Sequence, residues 1–167
     1  MNEELNNLIA ALREELTQYG EVLALMQEQQ DLIINRAAND LLVNLNSVNE
    51  QMERVAHARN QREIHRRQLV GVLGGTEETT FRQMTEALPA EVQPLLDALV
   101  QEINQILQNI QKWLRQNHML LKRSLDLMQV IMKNMFPSAS ATAGTYGRGG
   151  QVSPVNPPPS SLYEGII

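Results

Sequence analysis

Apolar side chains recur at alternating steps of three and four residues over most of the chain, which is the pattern of helices that pack against other helices. Three stretches show this pattern, and Gln30 and Asn117 are polar residues that fall within the apolar stripes. The pattern predicts three long helices, over residues 3–34, 39–73 and 90–136.

Local signals set the expected ends of these helices and add a fourth. Asn39 or Asp40 would cap the second long helix, and Gly74 and Gly75 would end it as C′-type residues, a position that favours glycine because its backbone is left-handed. Thr76, followed by two glutamates, would cap a short helix over residues 77–88. The predicted fold is all-α, an antiparallel helical bundle of three long helices plus one short helix.

The composition changes abruptly after Phe136. Residues 137–167 contain five of the seven prolines and five of the nine glycines, with one basic and one acidic residue. Such a segment buries too little apolar surface to offset its backbone entropy. We therefore expect a helical domain over residues 1–136 and a disordered Gly/Pro/Ser-rich tail over residues 137–167.

The distribution of charge supports the bundle and restricts the class of protein. The second and third long helices are acidic early and basic late, which matches the helix dipole and favours antiparallel neighbours. The net charge of −5 gives the whole chain no electrostatic reason to bind nucleic acid or anionic membrane. The arginine-rich run 59–67 lacks interleaved aromatic residues and is interpreted as a solvated helix end.

The cellular location follows from what the sequence lacks. No uncharged apolar run reaches the length of a membrane span, and the first residues are acidic rather than basic as in a secretory signal. The chain contains no cysteine, which fits a reducing compartment. We therefore expect a soluble, cytoplasmic protein.

Catalytic and metal-binding patterns are also missing. His57 and His65 are eight residues apart and do not form a metal-binding motif, and His118 stands alone. The glycine-rich run 71–75 has no lysine for a phosphate loop, and no serine is paired with a base. The expectation is a protein that is not an enzyme and that uses no cofactor and no metal.

The stretch 119–136 contains more apolar residues than one packed helix face requires. Eleven of its eighteen residues are apolar, and four of the eight methionines lie between Met119 and Met135. An ordinary surface helix has a single apolar stripe, but here two faces are apolar. One face consists of Leu120, Leu127, Ile131 and Met135, and the other of Leu121, Leu125, Met128 and Met132. If one face packs in the bundle, the other is a groove for a partner's amphipathic helix; otherwise helices of this chain, or of a second copy, cover both.

Three parts of the sequence resemble the FlgN family of flagellar type III export chaperones. The first is the N-terminal helix pair, EVLALMQEQQDLIINRAANDLLVNLNSVNEQME, followed by ARNQR. The second is NHMLLKRSLDLM, which is similar to the Asn-x-x-Leu-Leu pattern near the end of the family's last helix. The third is TYGRGGQ, which resembles the family's short Tyr-Gly-x-x-Gly tail motif.

The resemblance implies a function. FlgN-like proteins bind hook–filament junction proteins in the cytoplasm, keep their C-terminal helical ends from assembling, and deliver them to the membrane export gate. Carried over to this sequence, the client-binding residues are Asn117, Leu120, Leu121, Leu125, Met128, Met132 and Met135. The residues that dock on the export gate protein are Tyr146, Gly147 and Gly150.

The sequence is also compatible with two other classes of protein. A structural coiled-coil protein would use the 119–136 surface to form a homo-oligomer, and a signalling adaptor would use it for an unrelated partner. For a chaperone we expect a monomer or a weak homodimer. Residues 152–167 match no part of the family pattern; their apolar end is either a second docking site or has no role.

Overall fold

The structure, a computed structural model, describes residues 1–136, and the tail predicted to be disordered lies outside them. All regular secondary structure in the described part is helical, which confirms the all-α prediction. The four helices are α1 (Asn2–Ile34), α2 (Ala38–Val72), α3 (Phe81–Glu86) and α4 (Gln93–Met135). Among residues 1–136, none of the helices combines the length and the apolar character needed to cross a bilayer.

Hydrogen bonds between side chains and backbone show that α1 and α2 are antiparallel. The amide of Gln51 donates to the carbonyl oxygen of Gln18, and the amide of Asn44, earlier in α2, donates to that of Leu25, later in α1. Advancing along α2 therefore means moving back along α1.

Helix α4 runs parallel to α1 and so antiparallel to α2. Ile103 and Leu12 line the same cavity, and fourteen residues further along α4 the amide of Asn117 donates to the carbonyl oxygen of Met26, fourteen residues further along α1. The three long helices thus form the predicted antiparallel bundle.

The core contains mostly leucine and other aliphatic side chains, because the apolar stripes of all four helices converge on it. Leu8, Leu69 and Leu96 are completely buried, and Met84 and Leu88 bring the short α3 segment into the same cluster. The other buried members are Leu5, Leu12, Tyr19, Val22, Met26, Val55, Val70, Leu99 and Ile103.

A tight turn joins α1 to α2 and corrects the predicted start of α2. Arg36 has a positive φ of 55°, and the amides of Arg36 and Ala37 donate back to the carbonyl oxygens of Ile33 and Leu32. This closes the end of α1 in the manner of a Schellman motif. The prediction that Asn39 or Asp40 caps α2 is wrong: the turn delivers the chain directly to Ala37, which precedes the first helical residue without a side-chain cap.

The end of α2 confirms the role predicted for Gly74 but not for Gly75, whose backbone is not left-handed. Gly74 has a φ of 73°, and the amide of Gly75 donates to the carbonyl oxygen of Val70 over 2.9 Å. A Cβ atom on Gly75 would lie only 2.8 Å from a methyl group of Val70. The backbone conformation requires glycine at the first position, and the close approach of side chains requires it at the second.

The predicted short helix is shorter than expected and starts later. Helix α3 covers Phe81–Glu86, and its cap is Thr80 rather than Thr76. Thr80 and Gln83 form a capping box, in which each side chain accepts from the other residue's backbone amide, whereas Thr76 takes part in the preceding turn with Thr79. Helix α4 also starts later than residue 90, at Gln93.

The chain divides into two units, Met1–Arg123 and Ser124–Ile167, with the boundary inside the continuous helix α4. The first unit contains the core described above. The described part of the second unit is Ser124–Phe136, which is helical as far as Met135.

Candidate binding surface on helix α4

A buried amide on α4 bonds to three residues of α1 and identifies the polar end of the core. Asn117 is only 2% exposed, although it lies in the apolar seam of its helix. Its Nδ2 donates to the carbonyl oxygen of Met26 over 2.8 Å and to Oε1 of Gln29 over 3.1 Å. Its Oδ1 accepts from Nε2 of Gln30 over 3.3 Å. Both ends of this buried amide are therefore hydrogen-bonded.

The same network reaches α2. Gln29 Nε2 donates to Oδ1 of Asn44 over 3.3 Å, and Asn44 Nδ2 donates to the Leu25 carbonyl oxygen and to a carboxylate oxygen of Glu28. We call Gln29, Asn44 and Asn117 the polar layer, because one member comes from each long helix. A buried polar layer of this kind is satisfied in one alignment of the helices and therefore specifies their register.

One apolar face of α4 is exposed over its last four turns. Leu125 is 51% exposed and Met128 is 58% exposed, and Met132 and Met135 are more exposed still. We call the set Leu121, Leu125, Met128, Met132 and Met135 the α4 stripe. Its members follow each other at steps of four and three residues, so they lie along one side of the helix.

The second apolar face of this segment is exposed as well, contrary to the expectation that it packs in the bundle. Leu120 is half-buried, but Leu127 and Ile131 are exposed. Every residue from Leu125 to Phe136 is exposed. Large apolar side chains concentrated in this way are typical of a surface that binds a partner.

The arginines of α2 make contacts within the fold. Arg66 donates to both carboxylate oxygens of Glu63 and to the carbonyl oxygen of Thr79, which ties α2 to the loop before α3. Nε of Arg62 lies 3.3 Å from a carboxylate oxygen of Glu15, a residue of α1 that is 1% exposed. Three arginines of the basic run, Arg62, Arg66 and Arg67, therefore have structural partners within unit Met1–Arg123.

The pKa values of two residues in the first unit are shifted by their surroundings. Hydrogen bonds from Arg66, and secondarily from Arg67, lower the pKa of Glu63 to about 2 against the opposing effect of its partial burial. Burial raises the pKa of Tyr19, and the nearby carboxylate of Glu15 raises it further. Both shifts come from structural neighbours rather than from a reactive site.

Two concave regions lie on the first unit. A groove of about 870 Å³ between α1 and α2 is lined by polar side chains and by small ones such as Ala10 and Ala58. A smaller cavity of about 400 Å³ lies beside Arg62, Phe81 and Ile103. Within residues 1–136, no group of three or more His, Cys, Asp or Glu side chains is placed to hold a metal ion.

The structure places the seven predicted client-binding residues in two different environments. Asn117 is inside the polar layer, and Leu120 is half-buried beside it. The other five form the exposed α4 stripe. The predicted docking residues Tyr146, Gly147 and Gly150 lie outside the described residues.

Sequence reasoning missed Gln29 and Asn44 as members of the polar layer. The sequence did contain a sign of this layer, because Gln30 and Asn117 are polar residues within apolar stripes. In the structure their side chains are hydrogen-bonded to each other.

A family model described as FlgN protein matches residues 1–154 of the chain. The match therefore covers the four helices and extends into the tail that contains Tyr146. No curated protein and no solved structure matches the sequence.

Proposed function

Because the chain belongs to the FlgN family, whose members are flagellar export chaperones that bind hook-associated proteins, we propose that its clients are the hook–filament junction proteins. It holds their C-terminal helical segments on the α4 stripe in the cytoplasm. While bound there, a client segment is kept from assembling, and the chaperone delivers it to the type III export gate. The mechanism is binding and release, without covalent chemistry.

The observation that carries this proposal is the exposure of the α4 stripe. Fully burying a leucine or methionine stabilises a complex by roughly 1.5–3 kcal/mol. Since the stripe residues are already half-covered, covering the rest contributes roughly 1 kcal/mol each, or about 5 kcal/mol in all. Association opposes this with a loss of freedom of at least about 4 kcal/mol. The apolar face of the client is buried in the same contact and contributes a similar amount, which leaves a net of about 6 kcal/mol and a dissociation constant in the tens of micromolar. The affinity is therefore moderate, as suits a complex that is dismantled before export.

The chemistry of the stripe fits a family of related helices rather than a single one. Met128, Met132 and Met135 are flexible and polarizable, so they adapt to side chains of different shape. Asn117 and Leu120 support the same site through packing. They hold α4 in the register in which the α4 stripe faces the solvent.

The tail has a separate role in the proposal. Residues 1–136 form the chaperone domain, and residues 137–167 carry the docking motif Tyr146, Gly147 and Gly150. This motif binds the membrane export gate protein, so that client binding and delivery use different parts of the chain. The family match to residue 154 supports this assignment, because it includes the motif.

Calorimetric titration with a peptide from the C-terminal helix of a junction protein tests the client site. Met128→Asp places a charge in the stripe and should weaken binding by more than about thirtyfold. Val130→Asp is the matched control, because Val130 is equally exposed but lies about 200° around the helix from Met128. It should change the affinity by less than about twofold.

Two outcomes would contradict this site. Equal loss of binding in both variants would mean that the stripe is not the contact surface. A loss of helicity in Met128→Asp would mean that Met128 supports the fold. If the peptide does not bind and the free chain forms a concentration-dependent oligomer instead, the surface serves self-association.

The docking role is tested separately by Tyr146→Ala. This variant should bind the client peptide with unchanged affinity but should release less junction protein into the culture medium. Normal secretion by cells carrying Tyr146→Ala would remove the docking proposal and leave the client site untouched.

A further inference from the structure

Two lysines of α4 lie on the same border of the α4 stripe. Lys122 follows Leu121 directly, and Lys133 follows Met132. They are eleven residues apart, which is three turns of helix and about 16 Å along its axis. Both therefore project from the same side of α4, next to the apolar face.

The lysines differ from three arginines of α2 in having no carboxylate partner within the described residues. Arg62, Arg66 and Arg67 each lie within hydrogen-bonding or ion-pair distance of a glutamate. Lys122 and Lys133 are exposed, and no carboxylate of the described residues lies within 4.0 Å of either. These three positive charges on α2 are thus used within the fold, whereas the two lysine charges on α4 are free for a partner.

The opposite border of the stripe is uncharged. The residues directly before the stripe positions there are Ser124, Leu127, Ile131 and Asn134. On the lysine border, the one acid is Asp126. A partner lying on the stripe therefore meets charge on one side only, where two lysines outnumber one aspartate.

We propose that the partner of the α4 stripe is an amphipathic helix with two carboxylates, about eleven residues apart, on one border of its apolar face. This inference rests on the proposed function, since it assumes that the stripe is the client site. The carboxylates face Lys122 and Lys133, while the apolar faces of the two helices pack together. Such border pairs select and orient a partner more than they tighten binding.

The same charges disfavour a second copy of this chain as the occupant. In an antiparallel pair related by a twofold axis, the lysine border of one helix lies beside the lysine border of the other, so lysines face lysines. In a parallel pair the lysine border meets the uncharged one. The antiparallel arrangement brings one carboxylate, that of Asp126, to two lysines, and the parallel arrangement brings none.

Synthetic helical peptides test the inference on the full chain. Each has eighteen residues and leucines at alternating steps of three and four, and the versions carry Glu, Gln or Lys at two border positions eleven residues apart. At low salt the Glu peptide should bind roughly two- to fivefold more tightly per charge than the Gln peptide, and the Lys peptide more weakly than either. High salt should reduce these differences, because exposed charges are screened.

A charge swap identifies the residues. The double variant Lys122→Glu, Lys133→Glu should prefer the Lys peptide. Arg123→Glu is the control, since Arg123 is exposed on α4 but lies roughly 160° around the helix from the centre of the stripe; it should keep the preference for the Glu peptide.

The outcomes separate this inference from the proposed function. Equal binding of all three peptides would overturn the inference and leave the stripe as the client site. An equal effect of Arg123→Glu and the double variant would also overturn it, because the selection would then come from net charge alone. If no peptide binds and the chain dimerises, the proposed function fails, and this inference fails with it.

Discussion

Asn117→Ala should lower the free energy of unfolding of the bundle by about 2–3 kcal/mol. The substitution removes a side chain that is 2% exposed and that bonds to Met26, Gln29 and Gln30 of α1. Alanine has the highest helical propensity of all residues, so the substitution does not weaken α4 itself. The loss of stability therefore measures the contribution of the polar layer.

The magnitude depends on what the substitution leaves behind. Oε1 of Gln29 loses the amide of Asn117, and because Gln29 is itself buried, the unsatisfied oxygen costs about 1–3 kcal/mol. The carbonyl oxygen of Met26 keeps its α-helical bond, and the half-buried Gln30 can reach water, so each contributes less. The lost packing of the amide group adds to the total.

Urea unfolding followed by far-UV circular dichroism provides the measurement. The dependence of the free energy of unfolding on urea concentration should have the same slope in variant and wild type, which shows that the cooperative unit is unchanged. Asn104→Ala is the control, since Asn104 is exposed on the same helix; it should change stability by less than about 0.5 kcal/mol. The double variant Gln29→Ala, Asn117→Ala should lose less than the sum of the single losses, because the two side chains bond to each other.

A loss below about 0.5 kcal/mol for Asn117→Ala would refute the reasoning, as would strict additivity with Gln29→Ala. The folded variant should also bind the client peptide with wild-type affinity, because the amide of Asn117 faces into the bundle. A loss of affinity in the folded state as large as that of Met128→Asp would mean that Asn117 contacts the client directly.

Two further predictions concern the turn and the salt bridges. Arg36→Gly should raise the free energy of unfolding by about 0.5–1 kcal/mol. Glycine adopts the φ of 55° without the steric cost that arginine has there, and this gain exceeds the added backbone entropy of the unfolded chain. Urea titration would detect the increase, and an unchanged or lower stability would contradict the prediction. Glu63→Gln should flatten the fall in stability between about pH 4.5 and pH 2. A carboxylate with a pKa lowered by folding, here to about 2, stabilises the fold above its unfolded pKa and loses that contribution as the pH falls towards its folded value. Since Glu63 is one-third exposed, its ionised side chain contributes about 1 kcal/mol to the free energy of unfolding after screening by solvent. Urea unfolding at pH 2.5 and pH 6 measures this contribution. If the variant and the wild type lose the same stability between the two pH values, the prediction is contradicted.

The long helices were predictable because their apolar stripes repeat over many turns, so that local errors average out. Gly74 ended α2 as predicted, since only glycine adopts the left-handed conformation without strain. The start of α2 was not predictable from capping residues. The end of α1 places Arg36 in that same conformation, which sequence preference disfavours.

The error at α3 has a different physical origin. Thr76 is followed by two acids, which suit a helix start, but Thr80 has a glutamine three residues later and forms the reciprocal capping box. The box satisfies two backbone amides at once, whereas acids near a helix start contribute only a screened charge effect. The Thr-x-x-Gln spacing was therefore the better signal.

The candidate site divides in the same way. The excess of apolar residues between Met119 and Phe136 singled out this segment, but it left open whether other helices cover both apolar faces. The structure shows that every residue from Leu125 to Phe136 is exposed. The polar layer was beyond the reach of periodicity, since the spacing within one helix does not show that Gln29, Asn44 and Asn117 meet across three helices.

The lack of buried residues from Leu125 to Phe136 has a consequence for how the client site orders. A free helix of about twelve residues is marginal in water, mainly because its first turn is difficult to form. Here the segment continues from turns of α4 that are already formed in the bundle, so only elongation is needed. Its amide protons should therefore exchange with solvent far faster than those around Ile103, yet an arriving client helix meets a surface that is already helical. The bundle acts as the nucleus for its own binding site.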